Sequence, residues 1–338
     1  MNVRRAILLL TATVVLAGPF PALGADKLVV AVNKLSAGSP LYIGRAKGFF
    51  AEENLDVSLL HSTSAQTIGL AVASGDALIG MTALTAGIYT IAGKGGMKIV
   101  AGGYEEMPGF KGLALLYNNA VYDRGKRTPA DLAGMKVGTT QTGSPQENQL
   151  ARLAKKYKFD YGSMSVVALQ TLPNLVSAIR GGQIDATNLP ATLALGVERS
   201  GAAKIIAWMA DEVPGQIGGI FANPATMAQH PDMVTRFLRA YIKSIRYYDR
   251  AFQQKGPDGK PIKGDNYDET LKIIADYLEE PAAQVEAGLP YFNPDARLAT
   301  SDLADQIEAW KSIKQLEPSI SLDKVLEPKF LAQAKADK

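Results

Sequence analysis

The chain has 338 residues, no cysteine, two histidines, and 36 basic against 33 acidic side chains. The lack of cysteine excludes disulfides and a lipid-accepting cysteine behind a leader. The near balance of charge excludes the basic excess of a nucleic-acid binder and the polybasic patch of a lipid-bound protein.

Met1 to Arg5 is basic, and the apolar run from Ala6 to Ala17 is too short for a membrane span. Pro19 and Pro21 interrupt it, and Ala22-Leu23-Gly24 puts small residues where a signal peptidase cuts. Residues 1–24 therefore read as a secretory signal peptide cleaved near Gly24, which sends the chain to the periplasm. Without Arg4 and Arg5 the count is 34 basic to 33 acidic. No later run is apolar enough to span a bilayer, so a soluble mature chain is expected. About 310 residues exceed one ordinary core and favour two domains.

Lys27 to Val32 is a strand signal, followed by a Gly/Ser turn and a short helix from Leu41 that Gly48 stops. Leu55 to Leu60 is a second strand, Ser62 to Thr67 a polar loop, and Ile68 to Ala73 a helix. Ala77 to Met81 and Lys98 to Ala101 are strands with a helix between them. The pattern then repeats. Gly112 to Tyr117, Lys136 to Thr139, Ser165 to Leu169, Ile184 to Thr187, Ala202 to Trp208 and Gly219 to Ala222 read as strands. Helices follow at Thr128 to Leu132, Gln146 to Tyr157 and Asn174 to Arg180. Alternating strands and helices predict mostly parallel sheets. Beyond Asn223 the chain turns helical, with Met233, Val234, Phe237, Leu238, Tyr241, Ile242, Ile245 and Tyr248 at helix spacing. Glu269 to Leu278 and Asp302 to Ile313 are further helices, and Lys255 to Asn266 is a surface loop.

Ordered landmarks carry a family resemblance. "SPLYIGRAKGFFAEENLDVSLL" (Ser39 to Leu60) resembles the opening of the substrate-binding proteins of the nitrate, sulfonate and taurine class, a superfamily with a pyrimidine-precursor branch. Asn54 stands where that family has Gly, and Asn tolerates the left-handed backbone. "SGDALIGM" (Ser74 to Met81), "DLAGMKVGTT" (Asp131 to Thr140), "GGQIDAT" (Gly181 to Thr187) and "SLDKVLEPKFL" (Ser321 to Leu331) follow in family order; Leu78 replaces the family's Asp. The resemblance implies an α/β, type II periplasmic binding protein fold: two lobes, a hinge of two crossover strands and a helical C-terminal part. Lobe one is expected over 25–117 plus 217–338 and lobe two over 118–216, with crossings near Gly112 to Asn118 and Gly215 to Asn223. It also implies a small-molecule ligand, an ABC permease and ATPase as partners, no cofactor and a monomer.

Ligands of open α/β sheets bind at the carboxyl ends of strands, where helix starts offer free N–H groups and partial positive charge. The loops there are Ser36 to Ser39, Ser62-Thr63-Ser64, Thr82-Ala83, Thr142-Gly143-Ser144 and Asn188. Their hydroxyls can donate to an anion and their small residues admit the backbone; the same residues are also ordinary helix N-caps. Tyr42 and Phe110 are candidates to pack on an organic ligand, while Trp208 reads as core. None of these loops holds Arg or Lys.

Other motifs are weaker. Gly87 to Lys94 has the wrong spacing for a phosphate loop. His61 and His230 lack metal-site spacing, and His61 precedes a candidate loop. Arg152, Lys155, Lys156 and Lys158 form a solvated helix face. The reading that results is transport binding of a small organic anion, a sulfonate or carboxylate, without catalysis. Its competitors are a pyrimidine-precursor binder, a periplasmic sensor component, and a synthase of the thiamine-pyrimidine type. The cysteine-rich motif of that synthase is absent here.

Overall fold

The computed structural model describes residues 24–257 and 261–336. Residues 1–23, which hold all but the last residue of the expected leader, lie outside them. Strand β1 (Asp26–Val32) runs through the middle of a sheet, and its Leu28, Val30, Ala31 and Val32 are buried. After it come α1 (Ser39–Ala46), α2 (Phe49–Glu52), β2 (Leu55–His61), α3 (Ala65–Ser74), β3 (Ile79–Ala83), α4 (Ala86–Gly93) and β4 (Lys98–Gly102). Asn54, in the left-handed region at φ 55°, makes the turn into β2. A short strand β5 (Tyr104–Glu106) leads out of this unit.

The second unit is β6 (Leu113–Asn118), α5 (Asn119–Asp123), β7 (Lys136–Thr139), α6 (Pro145–Tyr157), β8 (Ser165–Ala168), α7 (Leu172–Arg180), β9 (Ala186–Pro190), α8 (Ala191–Arg199), β10 (Ala203–Trp208) and α9 (Met209–Glu212). The chain returns through β11 (Gly215–Gln216) into β12 (Gly218–Ala222). The remainder is α10 (Pro224–Gln229), α11 (Pro231–Phe252), α12 (Tyr267–Leu278), α13 (Ala282–Glu286), β13 (Tyr291–Phe292), α14 (Thr300–Ser312), α15 (Leu322–Val325) and α16 (Lys329–Ala336). Among the described residues no helix is long and apolar enough to cross a membrane.

The first sheet has the order β2-β1-β3-β12-β4 and the second β10-β6-β9-β7-β8. In each, one strand runs against the others: β12 in the first, β6 in the second. Of the expected crossings, Gly112 to Asn118 is mostly the buried strand β6, and Gly215 to Asn223 holds both β11 and the buried strand β12. The passages themselves are β5 with the loop 107–112, upstream of β6, and β11, just before β12. β5 pairs with β11 on one side and with β13 on the other in a three-stranded hinge sheet. Strands of two and three residues leave no periodic pattern to read.

The first lobe has one large core, which joins its sheet to α11, α12, α14 and α16. The periodic face of α11 is buried as its spacing predicts. The second sheet has a core on each face. One contains Leu150 and Leu153 of α6, the other Leu175 and Ile179 of α7 with Val197 of α8.

Glu106 is a strained element of the hinge. Its Oε1 accepts the Leu113 N–H at 2.9 Å, while the buried Oε2 has no partner. Burial raises its pKa to about 7; the Leu113 bond opposes this and the Asp211 charge adds to it. A raised acid favours the folded state below its ordinary value of 4.5 and loses that advantage as pH climbs through 7. Glu106→Gln removes the titration. Its stability relative to wild type, from urea unfolding, should therefore improve by roughly 3 kcal/mol between pH 4 and pH 8. A flat difference curve would mean that the carboxylate is solvated.

Candidate functional site

Strand register sets the site. Val32 pairs in parallel with both His61 and Met81, so the carboxyl ends of β1, β2 and β3 share one edge. In the second sheet Gly138 pairs with Val167 and Thr187, which aligns the ends of β7, β8 and β9. The two edges face each other: the Ala86 N–H, at the start of α4, donates to the Gly143 carbonyl of the opposite lobe at 3.0 Å. Gly143 has φ 77°, and a Cβ there would stand 3.1 Å from Ala86 Cβ. A second approach joins Gly288 to Thr192 of α8; a Cβ on Gly288 would stand 3.0 Å from Thr192 Cγ2.

In the first lobe Ser36 Oγ donates to the Gly288 carbonyl at 2.9 Å, beside that second approach. Ser39 is fully buried and its hydroxyl donates to Ser36 O at 2.6 Å, so it braces the turn. Ser62 is half-buried, Thr63 is exposed, and Ser64 caps α3 by accepting the Thr67 N–H at 3.1 Å. Thr82 is buried and Ala83 half-buried at the end of β3. In the second lobe Thr142 is exposed, Gly143 carries the bridging carbonyl, and buried Ser144 caps α6 on the Glu147 N–H. Asn188 is buried in the middle of β9, bonded through Nδ2 to Gln149 Oε1 at 3.2 Å.

The two aromatic candidates stand elsewhere. Tyr42 is buried, its ring stacked 3.9 Å from Tyr277 and its hydroxyl donating to the Asn33 and Leu35 carbonyls. Both ring and hydroxyl are occupied, so Tyr42 supports the loop. Phe110 lies on the hinge loop, 4.9 Å from the Tyr291 ring and under Lys255. Trp208 is half-buried with Lys111 over its ring. His61 is exposed at the end of β2, with Nε2 2.9 Å from the Tyr277 hydroxyl.

Sequence reasoning missed the residues that organise the loops. Asn33, the first residue after β1, donates to Ser62 O at 2.9 Å and accepts from Thr82 Oγ1 at 2.6 Å. Gln146 does the same work in the second lobe: Oε1 accepts the Thr140 N–H and hydroxyl, and Nε2 donates to Asn188 O at 2.6 Å. Their signal is an amide side chain within a residue or two of a strand end or a helix cap. Glu147 was also missed. Buried in the first turn of α6, its carboxylate accepts the Gly143 N–H at 2.6 Å and the Tyr161 hydroxyl at 2.8 Å. It thereby supplies the negative charge that a helix start attracts. Three buried atoms nearby, Thr139 Oγ1, Gln149 Nε2 and Asn188 Oδ1, have no partner among the described residues. Each such atom costs about 1–3 kcal/mol unless something outside the chain meets it.

Two α/β lobes, each with one reversed strand, joined by two short crossings and meeting at the carboxyl ends of their strands, define the type II periplasmic binding protein fold. This chain belongs to the NMT1/THI5 like family, whose sequence profile matches residues 37–250. It is 26% identical over 252 residues to the 4-amino-5-hydroxymethyl-2-methylpyrimidine phosphate synthase of Aspergillus parasiticus, covering 67% of this chain and 68% of that one. The periplasmic nitrate-binding protein NrtA of Synechocystis PCC 6803 has the same fold, with a TM-score of 0.71 at 14% identity over 93% of this chain and 89% of that one. The periplasmic aliphatic sulphonate binding protein SsuA of Escherichia coli has it too, with a TM-score of 0.68 at 15% identity over 90% and 92% of the two chains.

Asn33→Ala removes the bond to Ser62 and strands the buried Thr82 hydroxyl. It should destabilise the protein by about 2–3 kcal/mol in chemical unfolding. Asn33→Asp, which keeps the acceptor for Thr82, should lose less. Equal losses in the two variants would mean that the Thr82 bond contributes nothing.

Proposed function

We propose that this chain is the periplasmic solute-binding subunit of an ABC importer. It closes two lobes on a small organic anion, a sulfonate or carboxylate, and delivers it to a permease and ATPase in the inner membrane. One observation carries the reading: two strand-end edges face each other across the Ala86–Gly143 bond and present hydroxyls, amides and helix starts. The likeness in fold to proteins described as nitrate-binding and sulphonate-binding supports it. A monomer, a leader cleaved near Gly24, and lobe boundaries within 103–112 and 214–217 belong to the same reading.

With no Arg or Lys in the candidate loops, N–H groups and hydroxyls meet the ligand's charge. Each helix start contributes about 0.3–1 kcal/mol toward an anion, up to about 2 when partly buried. Glu147 already fills that role on α6, so the anionic group sits on the first-lobe side, near Ser62, Ser64 and Thr82 and the starts of α3 and α4. The unpartnered Thr139, Gln149 and Asn188 atoms suit an uncharged polar part of the solute.

The likeness to a synthase favours a second reading, chemistry on a pyrimidine. Weighing against it are the absence of cysteine and the position of the histidines. His61 is paired with Tyr277, and His230 is exposed ahead of α11.

A thermal-shift and calorimetric screen of sulfonates, carboxylates and pyrimidines tests both readings. A true ligand far above its Kd should stabilise the protein by a few kcal/mol. Ser64→Trp and Thr142→Trp should abolish its binding and leave the unfolding transition in place. Selective binding of uncharged pyrimidines alone would replace the anion reading, and turnover of any compound would overturn the assignment as a binding protein.

A further inference from the structure

Beside the two crossing strands and the Ala86–Gly143 bond, the lobes are linked through side chains of α6 and α14. Arg152 stands on α6 of the second lobe. Its Nη2 donates to the Pro214 carbonyl at 3.0 Å and lies 2.9 Å from Asp302 Oδ1. Pro214 immediately precedes β11, the returning passage, and Asp302 is in the first turn of α14. The other Asp302 oxygen accepts the Gln216 N–H and Gln306 Nε2, each at 2.7 Å. Gln306 Nε2 also donates to the Gln216 carbonyl at 2.6 Å. Both backbone polar groups of Gln216 are thus taken by α14. One turn earlier on α6, Asn148 Nδ2 donates to the Gln306 carbonyl at 3.1 Å. Leu303, Ile307 and Trp310 of α14 are buried in the first-lobe core. Apolar burial therefore fixes α14 to one lobe, Asp302 and Gln306 fix it to the passage, and Arg152 and Asn148 fix it to the other lobe.

The ion pair is sheltered, with side chains 17% and 15% exposed, so salt screens it less than a surface pair. Its surroundings make the cation hard to replace. A cavity of about 540 Å³ at the hinge is lined by Glu105, Glu106, Asp302 and Asp305, with Arg152 and Arg297 as its cations. Arg297 is 3.7 Å from Glu105, which leaves Arg152 to offset Asp302. Breaking a sheltered pair by removing one member strands the charge of the other.

We propose that Arg152 is a hinge pin. By holding Pro214 and Asp302 together it biases the lobes toward the closed arrangement in which Ala86 meets Gly143, and so sets the fraction of molecules ready to retain a ligand. The effect on affinity rests on the solute-capture reading; the effect on lobe geometry does not.

The test uses the mature protein without added ligand, as wild type, Arg152→Gln and Arg152→Lys. Small-angle X-ray scattering should give a larger radius of gyration for Arg152→Gln, and amide exchange should quicken in the first turn of α14. Arg152→Lys keeps the charge but lacks the planar fork, so it should fall between the two. If Arg152→Gln does not fold, the lysine variant carries the comparison. A compound found by the screen should bind Arg152→Gln about tenfold more weakly, through a smaller competent fraction. Wild-type scattering and wild-type exchange in the folded variants would overturn the pin. Failure to find any ligand would sink the capture reading and leave the scattering result standing.

Discussion

Each half of the crevice depends on one side-chain amide. Asn33 ties the ends of β1, β2 and β3 together through Ser62 and Thr82, and Gln146 ties the end of β7 to β9 through Thr140 and Asn188. A primary amide suits the task because it donates and accepts at once, and it adds no charge of its own. Loops held this way are ordered in advance, without the entropy loss of being ordered on contact. Removing either amide would leave short loops with buried polar groups and nothing to bond them.

The hinge solves a different problem. Two passages of a few residues must connect the two sheets and yet keep their backbone groups bonded. β5 and β11 pair with each other, and α14 supplies side-chain partners to the Gln216 backbone. Acidic groups gather at this point, where Glu105 is also held above its usual range, chiefly by burial. Such a concentration of like charge stores strain. Arg152 and Arg297 moderate it from opposite sides of the sequence.

Much of the architecture is legible in the amino-acid order because parallel strands buried on both faces are continuous apolar runs. Lys27 to Val32 and Ala77 to Met81 are clear for that reason. The hinge is not legible: β5, β11 and β13 are too short for any period, and they are defined by partners distant in sequence. The site is legible as loops but not as roles. Strand ends mark where Ser62, Thr82 and Thr142 must lie. Hydroxyls that brace the turn, such as Ser39, look the same in sequence as hydroxyls that face the crevice. Tyr42 shows the same limit, since only the tertiary neighbour Tyr277 reveals that its ring is covered. Glu147 escaped notice because its partner Tyr161 comes from another element.

The first lobe is built from two stretches of chain that flank the second. Its core joins Leu28 near the start to Phe330 and Leu331 near the end. The stretch from Leu113 to Val213 is uninterrupted and has cores of its own. During synthesis that middle piece holds everything it needs well before the last helices emerge, whereas the outer piece must keep its opening strands waiting for α16. Long waits of this kind expose unpaired strand edges to aggregation. A chain with this layout therefore passes, until its last helices are made, through a half-formed species in which only the middle is native.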